Sequence, residues 1–446
     1  MATTPDLLDR MTPTLSRWFA MPTWRRPAAW WLATRGLMFA IWALFGFVAQ
    51  GDVAYYYENI NALYTGQSGP ADVFPEYPTP LIWVLSVPYL LGFGRLLGFR
   101  IAFIGLFTLT DAFMTLVFWR TARKFGTNPS PTVGFWIVFV VAMGPLCYMR
   151  LDLMTAALSA AALITLVRSQ RFLSGSMIAT GAAIKLWPAL LWPAALVTRK
   201  AARRATLGFA VTGAVLAGAS WLYAGWDRLV SPLTWQSDRG LQVESVWATP
   251  LLIARFFNPE RWVVAESDYN AFQIDGPGSV ALVGAATVAT LVGGLVMVTL
   301  YVGWLRRAHR TPIEAGTLMI IATFIMIVTN KTFSPQYMIW LGGPVAGLLT
   351  ISARDPEVRL AGPAVDTPLT LARRIALWTL ILTALTQLVY PMLYGALIDW
   401  NPAVTWLATA VLVARNVTIV IVTVRLIWFA ARCIAFPPRP EPSATG

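Results

Sequence analysis

Short clumps of basic residues punctuate long apolar runs along this chain, and that alternation limits what it can fold into. Arg25-Arg26, Arg123-Lys124, Arg199-Lys200, Arg203-Arg204, Arg306-Arg307 and Arg373-Arg374 each stand between hydrophobic stretches. An apolar run of about 20 residues can cross a bilayer as a helix, and basic residues gather in the cytoplasmic loops between crossings. Hydrophobic residues make up 57% of the chain and charged residues 12%, about half the charged share of an ordinary soluble protein. So few charges cannot cover a water-facing surface of this size. The chain reads as all-α, a polytopic transmembrane helical bundle. The net charge of +13 does not point to nucleic acid, because no cluster interleaves basic and stacking aromatic residues. Cys147 and Cys433 are too few for a disulfide framework or a metal cluster, and the single His309 excludes a His-based metal site or relay.

The basic clumps set the sidedness. The first 27 residues are polar and Arg-bearing, so the run 28–50 is read as a retained span leaving a cytoplasmic N-terminus, with Asp52 emerging outside. The run 81–94 is short and holds Pro88, Gly92 and Gly94; if it crossed, every later basic loop would invert, so it is expected to lie in the outer interface. Spans follow at 101–119, 132–149 and 153–167. The stretch 172–198 begins and ends beside basic loops, so it must go out and back as a short pair pivoting near Lys185, Pro188 and Pro193. Such short limbs are tolerated only when buried in protein or lining a cavity. Further spans are expected at 205–223, 279–304, 312–329, 335–352, 372–393 and 402–430. The total is about twelve crossings with both termini cytoplasmic. One domain spans 1–436 with outer loops 51–100 and 224–278, and a disordered cytoplasmic tail follows at 437–446. Most carboxylates fall outside, as do the two longest loops, so any chemistry is expected there.

Five polar elements then land at the outer ends of spans. Asp52 precedes Tyr55, Tyr56, Tyr57 and Glu58; an acid between water and lipid is either a general base in a partly dry setting or a solvated helix-end carboxylate. Glu76-Tyr77-Pro78-Thr79-Pro80 fixes an extended turn, because each proline locks φ and restrains its predecessor. Arg150 and Asp152 sit at one outer end, and Lys185 lies deep in an apolar stretch. A lysine there needs a partner: an anionic head group, a phosphate or Asp152, unless it snorkels to the interface. Asp238–Ser245 carries polar side chains at 239, 242 and 245, which as a helical turn would present one face of donors. Asn330–Tyr337 caps a hairpin, with Lys331, Gln336 and Tyr337 near the bundle mouth. Together these elements outline a cleft at the outer interface.

These residues resemble the GT-C membrane glycosyltransferases that use polyprenyl-phosphate sugars, and among them glycosyltransferase family 87. The likeness rests on Asp52 after the first span, Tyr77–Pro80, the Arg-x-Asp-Leu of Arg150–Leu153, and Ala183–Pro188. It also rests on Arg239–Ser245 and the Ser-Pro-Gln-Tyr of Ser334–Tyr337. That family includes actinobacterial α-mannosyltransferases and arabinofuranosyltransferases that build envelope glycolipids and glycans. The resemblance implies a GT-C fold in the plasma membrane with an outward-facing site. It implies inverting transfer of mannose or arabinofuranose from a polyprenyl monophosphate to a hydroxyl of an envelope glycolipid or glycan. Asp52 would be the base, with Lys185, Arg150 and Arg239 on the donor phosphate. Substrate contacts would come from Glu58, Glu76, Tyr77, Asp152, Gln242, Glu244, Ser245, Lys331, Gln336 and Tyr337. No second acid adjoins Asp52, so neither metal nor cofactor is expected. The alternative is a transporter or flippase for a lipid-linked sugar. It predicts an inverted repeat, and none is evident.

Overall fold

Proline and threonine placement sets where the helices begin. In the computed structural model, described for residues 23–45, 51–235, 239–267, 271–354 and 367–435, Pro80, Pro312 and Pro368 each occupy a first helical position, where the missing N–H costs nothing. Thr311 and Glu314 form a reciprocal capping box, and the Thr198 and Thr367 hydroxyls each accept from a backbone N–H of the first turn. The anticipated tail at 437–446 and Asp238 lie outside the described residues.

The helices run α1 (Arg25–Phe45), α2 (Gly51–Tyr64), α3 (Pro80–Leu91), α4 (Leu96–Lys124), α5 (Ser130–Met143), α6 (Leu146–Met149), α7 (Asp152–Val167) and α8 (Arg171–Ile184). A 3-10 helix, Trp187–Ala195, leads to α9 (Arg199–Ala224), α10 (Trp226–Thr234) and α11 (Thr249–Ala254). The antiparallel hairpin β1 (Val263–Ser267) and β2 (Ala271–Asp275) pairs Val263 with Asp275. Then come α12 (Ser279–Leu305), α13 (Pro312–Thr329), α14 (Ile339–Ser352), α15 (Pro368–Gln387), α16 (Tyr394–Ile398) and α17 (Thr405–Ala435).

Among the described residues six helices are long and apolar enough to cross a bilayer: α4, α9, α12, α13, α15 with the turn after it, and α17. The protein is therefore a membrane protein. Helix α12 turns Val288, Leu291, Leu295 and Val298 outward on one stripe, a lipid-facing pattern, whereas α13 is mostly buried at the centre. The remaining anticipated spans coincide with helices that are shorter or more polar. Helix α3, at 12 residues, is about 18 Å long, well short of a hydrocarbon core of about 30 Å.

Two expected elements are interrupted. The run 132–149 breaks at Gly144-Pro145, where Gly144 takes φ +63° and α5 gives way to the one-turn α6. The pair at 172–198 has the expected pivot: α8 stops at Lys185, whose backbone is extended (φ −153°, ψ 128°), and the 3-10 helix follows. Helix α8 lies backbone to backbone on α9. A Cβ on Gly175 would sit 1.9 Å from the Ala205 carbonyl oxygen, and one on Gly208 2.0 Å from that of Phe172, so only glycine permits this approach.

Deep in the bundle, Asp111 of α4 is fully buried and accepts five hydrogen bonds: from Trp31 Nε1 (2.7 Å), Arg35 Nε (2.9 Å) and Nη2 (3.1 Å), Trp136 Nε1 (2.8 Å) and the Tyr148 hydroxyl (2.7 Å). This hub ties α1, α4, α5 and α6 together. A carboxylate there is tolerable because every lone pair is met. Asp111→Ala strands the Arg35 guanidinium and is expected to cost about 3–5 kcal/mol, measurable by denaturant unfolding in detergent micelles. The double change Arg35→Met/Asp111→Leu should recover only part of that loss, because the Trp31, Trp136 and Tyr148 donors stay unmatched. A neutral single variant would show that the hub does not hold the helices.

Candidate functional site

The hub reaches the candidate site through one residue. Tyr148, anchored on Asp111, is two positions before Arg150, which joins α6 to α7 in an extended conformation. Arg150 Nη2 meets Asp52 Oδ2 at 2.7 Å, with the arginine side chain 8% and the aspartate 35% exposed. Asp52 lies in the first turn of α2, where the helix dipole favours an acid. The half-open aspartate is thus oriented by a nearly buried guanidinium, itself in hydrogen-bond contact with Tyr390.

Helix α2 also presents Tyr55 and Tyr56 to the Glu76-Tyr77 turn. The Tyr55 hydroxyl donates to Glu76 Oε1 at 2.7 Å, and the Tyr56 and Tyr77 hydroxyls meet at 3.5 Å. Burial, reinforced by nearby Glu76 and Asp52, pushes these three phenols well above their ordinary value, so they remain donors at neutral pH. Arg228 of α10 clamps the turn: Nε, Nη2 and Nη1 donate to the carbonyls of Val73 (3.1 Å), Phe74 (2.7 Å) and Tyr77 (2.8 Å). Glu76 Oε2 is buried with no hydrogen-bond partner among the described residues. Glu58, by contrast, is exposed on α2 and takes no part in this cluster.

At the pivot, Lys185 Nζ donates to Asp152 Oδ1 at 2.7 Å, and the Trp340 indole N–H donates to the same oxygen. The ammonium lies over three rings, 5.7 Å from Tyr77, 5.8 Å from Tyr337 and 5.4 Å from Trp340. Tyr337 and Trp340 stack at 4.0 Å, and Trp187 stacks on Trp340. The partner sought for Lys185 therefore includes Asp152, yet the lysine also faces a cavity of about 690 Å³. Arg239, Lys331, Glu76, Tyr77, Gln336 and Tyr337 line the same cavity. Tyr77 joins it to α2, because its hydroxyl meets that of Tyr56, one turn after Asp52.

The segment 239–245 is not the helical turn anticipated. Gln242 forms a β-bridge to Gln273, its backbone N–H donates to the Lys331 carbonyl (3.2 Å), and its Nε2 donates to Ser334 Oγ (2.9 Å). Gln242, Glu244 and Ser245 are buried against protein. Glu244 Oε2 accepts from Arg415 Nη1 at 2.7 Å, and the Arg415 guanidinium stacks 4.1 Å over Phe333. Burial pushes the Glu244 carboxyl up to about 7, with Arg415 pulling it down. Ser245 Oγ accepts from the Ala248 N–H. Gln242 fastens the outer loop to the 330–334 hairpin, and Glu244 and the Ser245 carbonyl fasten it to α17 through Arg415 and Asn416; Arg239 of the segment lines the cavity. Trp340, Tyr390, Arg228 and Arg415 are not among the residues that the sequence alone singles out. An arginine within an apolar span, as Arg415 is, was the available signal. Among the described residues no three of His, Cys, Asp and Glu gather closely enough to ligate a metal ion.

A helical membrane bundle enclosing a cavity with several cations, a carboxylate and stacked rings is built to hold an anionic, partly polar ligand. The family model of glycosyltransferase family 87 matches residues 74–330, more than half of the chain, and the protein belongs to that family: it is a glycosyltransferase. No curated protein matches the chain. The matched segment holds Glu76, Tyr77, Arg150, Asp152, Lys185 and Arg239, whereas Asp52, Lys331, Gln336 and Tyr337 flank it.

Proposed function

We propose that this glycosyltransferase moves mannose or arabinofuranose from a polyprenyl monophosphate to a hydroxyl of an envelope glycolipid or glycan, on the outer face of the plasma membrane. The observation that carries the reading is the gathering of Lys185, Arg239 and Lys331 around one cavity whose Tyr77 wall meets Tyr56, one turn along α2 from Asp52. In this reaction the acceptor oxygen forms a bond to the anomeric carbon as the bond from that carbon to the phosphate oxygen breaks. The acceptor proton passes to Asp52, and the electron pair leaves with the phosphate. Direct displacement inverts the anomeric centre. A phosphate monoester leaving group needs cations rather than an acid, and Lys185, Arg239 and Lys331 supply them without a metal. Arg150, grouped with the phosphate ligands on sequence grounds, is better placed to orient Asp52, to which it is paired. Glu76, Tyr77, Gln336 and Tyr337 would meet sugar hydroxyls and ring faces. About twelve crossings with both termini cytoplasmic would place this cavity outside, which is where the positive-inside rule puts it.

The test is transfer by the purified protein, with polyprenyl-phosphomannose and polyprenyl-phosphoarabinofuranose offered separately to extracted envelope glycolipids. One donor is expected to be consumed, yielding a product of inverted configuration. Translocation of either donor in proteoliposomes without any transfer would overturn the reading in favour of a flippase.

A further inference from the structure

Two ion pairs at the site share one short segment. Arg150, which pairs with Asp52, and Asp152, which pairs with Lys185, stand two residues apart where α6 passes into α7. The helix before them cannot place itself. Helix α6 is a single turn, Leu146–Met149, cut off from α5 at Gly144, and a helix that short has no stability of its own. Its position comes from side chains. Tyr148 is fully buried, donates to Asp111 Oδ2 at 2.7 Å and stacks on Phe39 of α1 at 5.4 Å. The far end of the link is pinned as well: the buried Asp152 accepts from Lys185 and from the Trp340 indole. Arg150 lies midway, two residues from each anchor. Its backbone is extended (φ −133°, ψ 148°), and its Nη1 donates to the Met149 carbonyl at 3.3 Å. An extended residue between two fixed points has little slack, so the aim of its guanidinium follows the anchors.

We propose that Tyr148 is a positioning residue for the transfer reaction: through its bond to Asp111 it holds the Arg150 guanidinium on Asp52 and so fixes the aim of the base. The inference rests on the transferase reading above, in which Asp52 takes the acceptor proton. It deepens that reading by giving the buried Asp111 hub a task at the site. Tyr148 itself touches no substrate. It acts because a carboxylate gripped through Oδ2 keeps Oδ1 at a set angle, and a proton passes only over a short, aligned contact. The donor side depends on the other anchor. Asp152 keeps Lys185 in place whether or not Tyr148 is tied down, so slackening at Tyr148 moves the base and leaves the donor phosphate site as it was.

Tyr148→Phe removes the hydroxyl and keeps the ring on Phe39. Trp31→Phe is the matched control. Trp31 Nε1 donates to the same Asp111 oxygen at the same 2.7 Å, but it stands on α1, away from the link. Both variants should lower the unfolding midpoint comparably, whereas the site should respond to Tyr148→Phe alone. The first readout needs no turnover. The full chain in detergent is treated with phenylglyoxal, an arginine reagent, and the peptide holding Arg150 is quantified by mass spectrometry. Arg150 is buried in the parent. Its modification should quicken about tenfold or more in Tyr148→Phe, the factor carried by one hydrogen bond to a charged group. In Trp31→Phe it should keep the parent rate. The second readout is the transfer assay. A misplacement of about 1 Å can cost about 10²-fold. A link slackened at one end moves less, so Tyr148→Phe should lower kcat about tenfold and leave the donor KM within about twofold. In an Arg150→Met background the same change should slow turnover no further, because the residue it acts through is gone. Parent-like Arg150 modification in Tyr148→Phe, equal effects of the two hub variants, or a further loss of turnover beside Arg150→Met would each overturn the proposal. The modification rates decide it even where no sugar is transferred, so its failure is distinct from a failure of the transferase reading.

Discussion

Replacing Asp52 by asparagine is expected to lower turnover by at least ~10² while the protein still folds and binds its lipid donor. The asparagine carbonyl can still accept from Arg150, so the orientation set by that 2.7 Å contact survives in weaker form. What disappears is the ability to take the acceptor proton. The neighbouring acids provide the control. Glu58 is exposed on α2 away from the cluster, and Glu58→Gln should be close to the parent. Glu76 lines the cavity with one oxygen held by Tyr55 and the other without a partner among the described residues. Its amide can keep the Tyr55 contact, so Glu76→Gln should raise KM more than it lowers kcat. All three are compared in one detergent preparation. Near-normal turnover by Asp52→Asn beside a dead Glu76→Gln would move the base to Glu76. Full activity in all three would remove proton abstraction by this loop altogether.

How much of this site could be read in advance depended on whether a residue's partner was nearby in sequence or implied by depth. Lys185 stood out because an ammonium in an apolar run must find an anion. Asp152, at the end of a neighbouring span, was a short step away, and the pair forms at 2.7 Å. The Arg35–Asp111 hub was legible by the same logic and went unread. Each charge sits inside an anticipated span, with opposite signs at buried positions 76 residues apart. Helix starts follow proline and threonine closely, and the shortness of α3 follows from the short apolar run that ends at Gly92. The break at Gly144 was visible as Gly-Pro. The segment 239–245 misled because spacing of three suits a helix only if local bonds win. Here Gln273, Ser334 and Arg415 supply long-range partners, and such tertiary contacts override a local period. The charge of Arg150 suggests a phosphate ligand; its pairing with Asp52 depends on a long-range meeting of the first turn of α2 with the link between α6 and α7.

Lys185 carries the other large expected effect, and its pairing with Asp152 decides how it must be tested. Lys185→Met should slow transfer by roughly 10²–10³, the loss expected when a cation that stabilises a leaving group is removed. The same change leaves Asp152, which is 1% exposed, holding a buried charge with only the Trp340 indole as donor on that oxygen. A buried carboxylate stripped of its cation destabilises the fold by itself, so a dead single variant proves little. The double variant Lys185→Met/Asp152→Asn separates the two roles. Asparagine keeps an acceptor for Trp340 and carries no charge, so the unfolding midpoint should return close to the parent. Turnover should not return if Lys185 meets the donor phosphate, because the ammonium facing the cavity is still missing. A donor analogue ending in free polyprenyl phosphate should likewise bind the double variant at least ~10-fold more weakly, since one charge-assisted contact is worth about that factor. Recovery of both stability and turnover would sink the phosphate assignment. Lys185 would then be a buried counter-ion that fixes the break between α8 and the 3-10 helix. Arg239 and Lys331 would remain as the cations at the cavity.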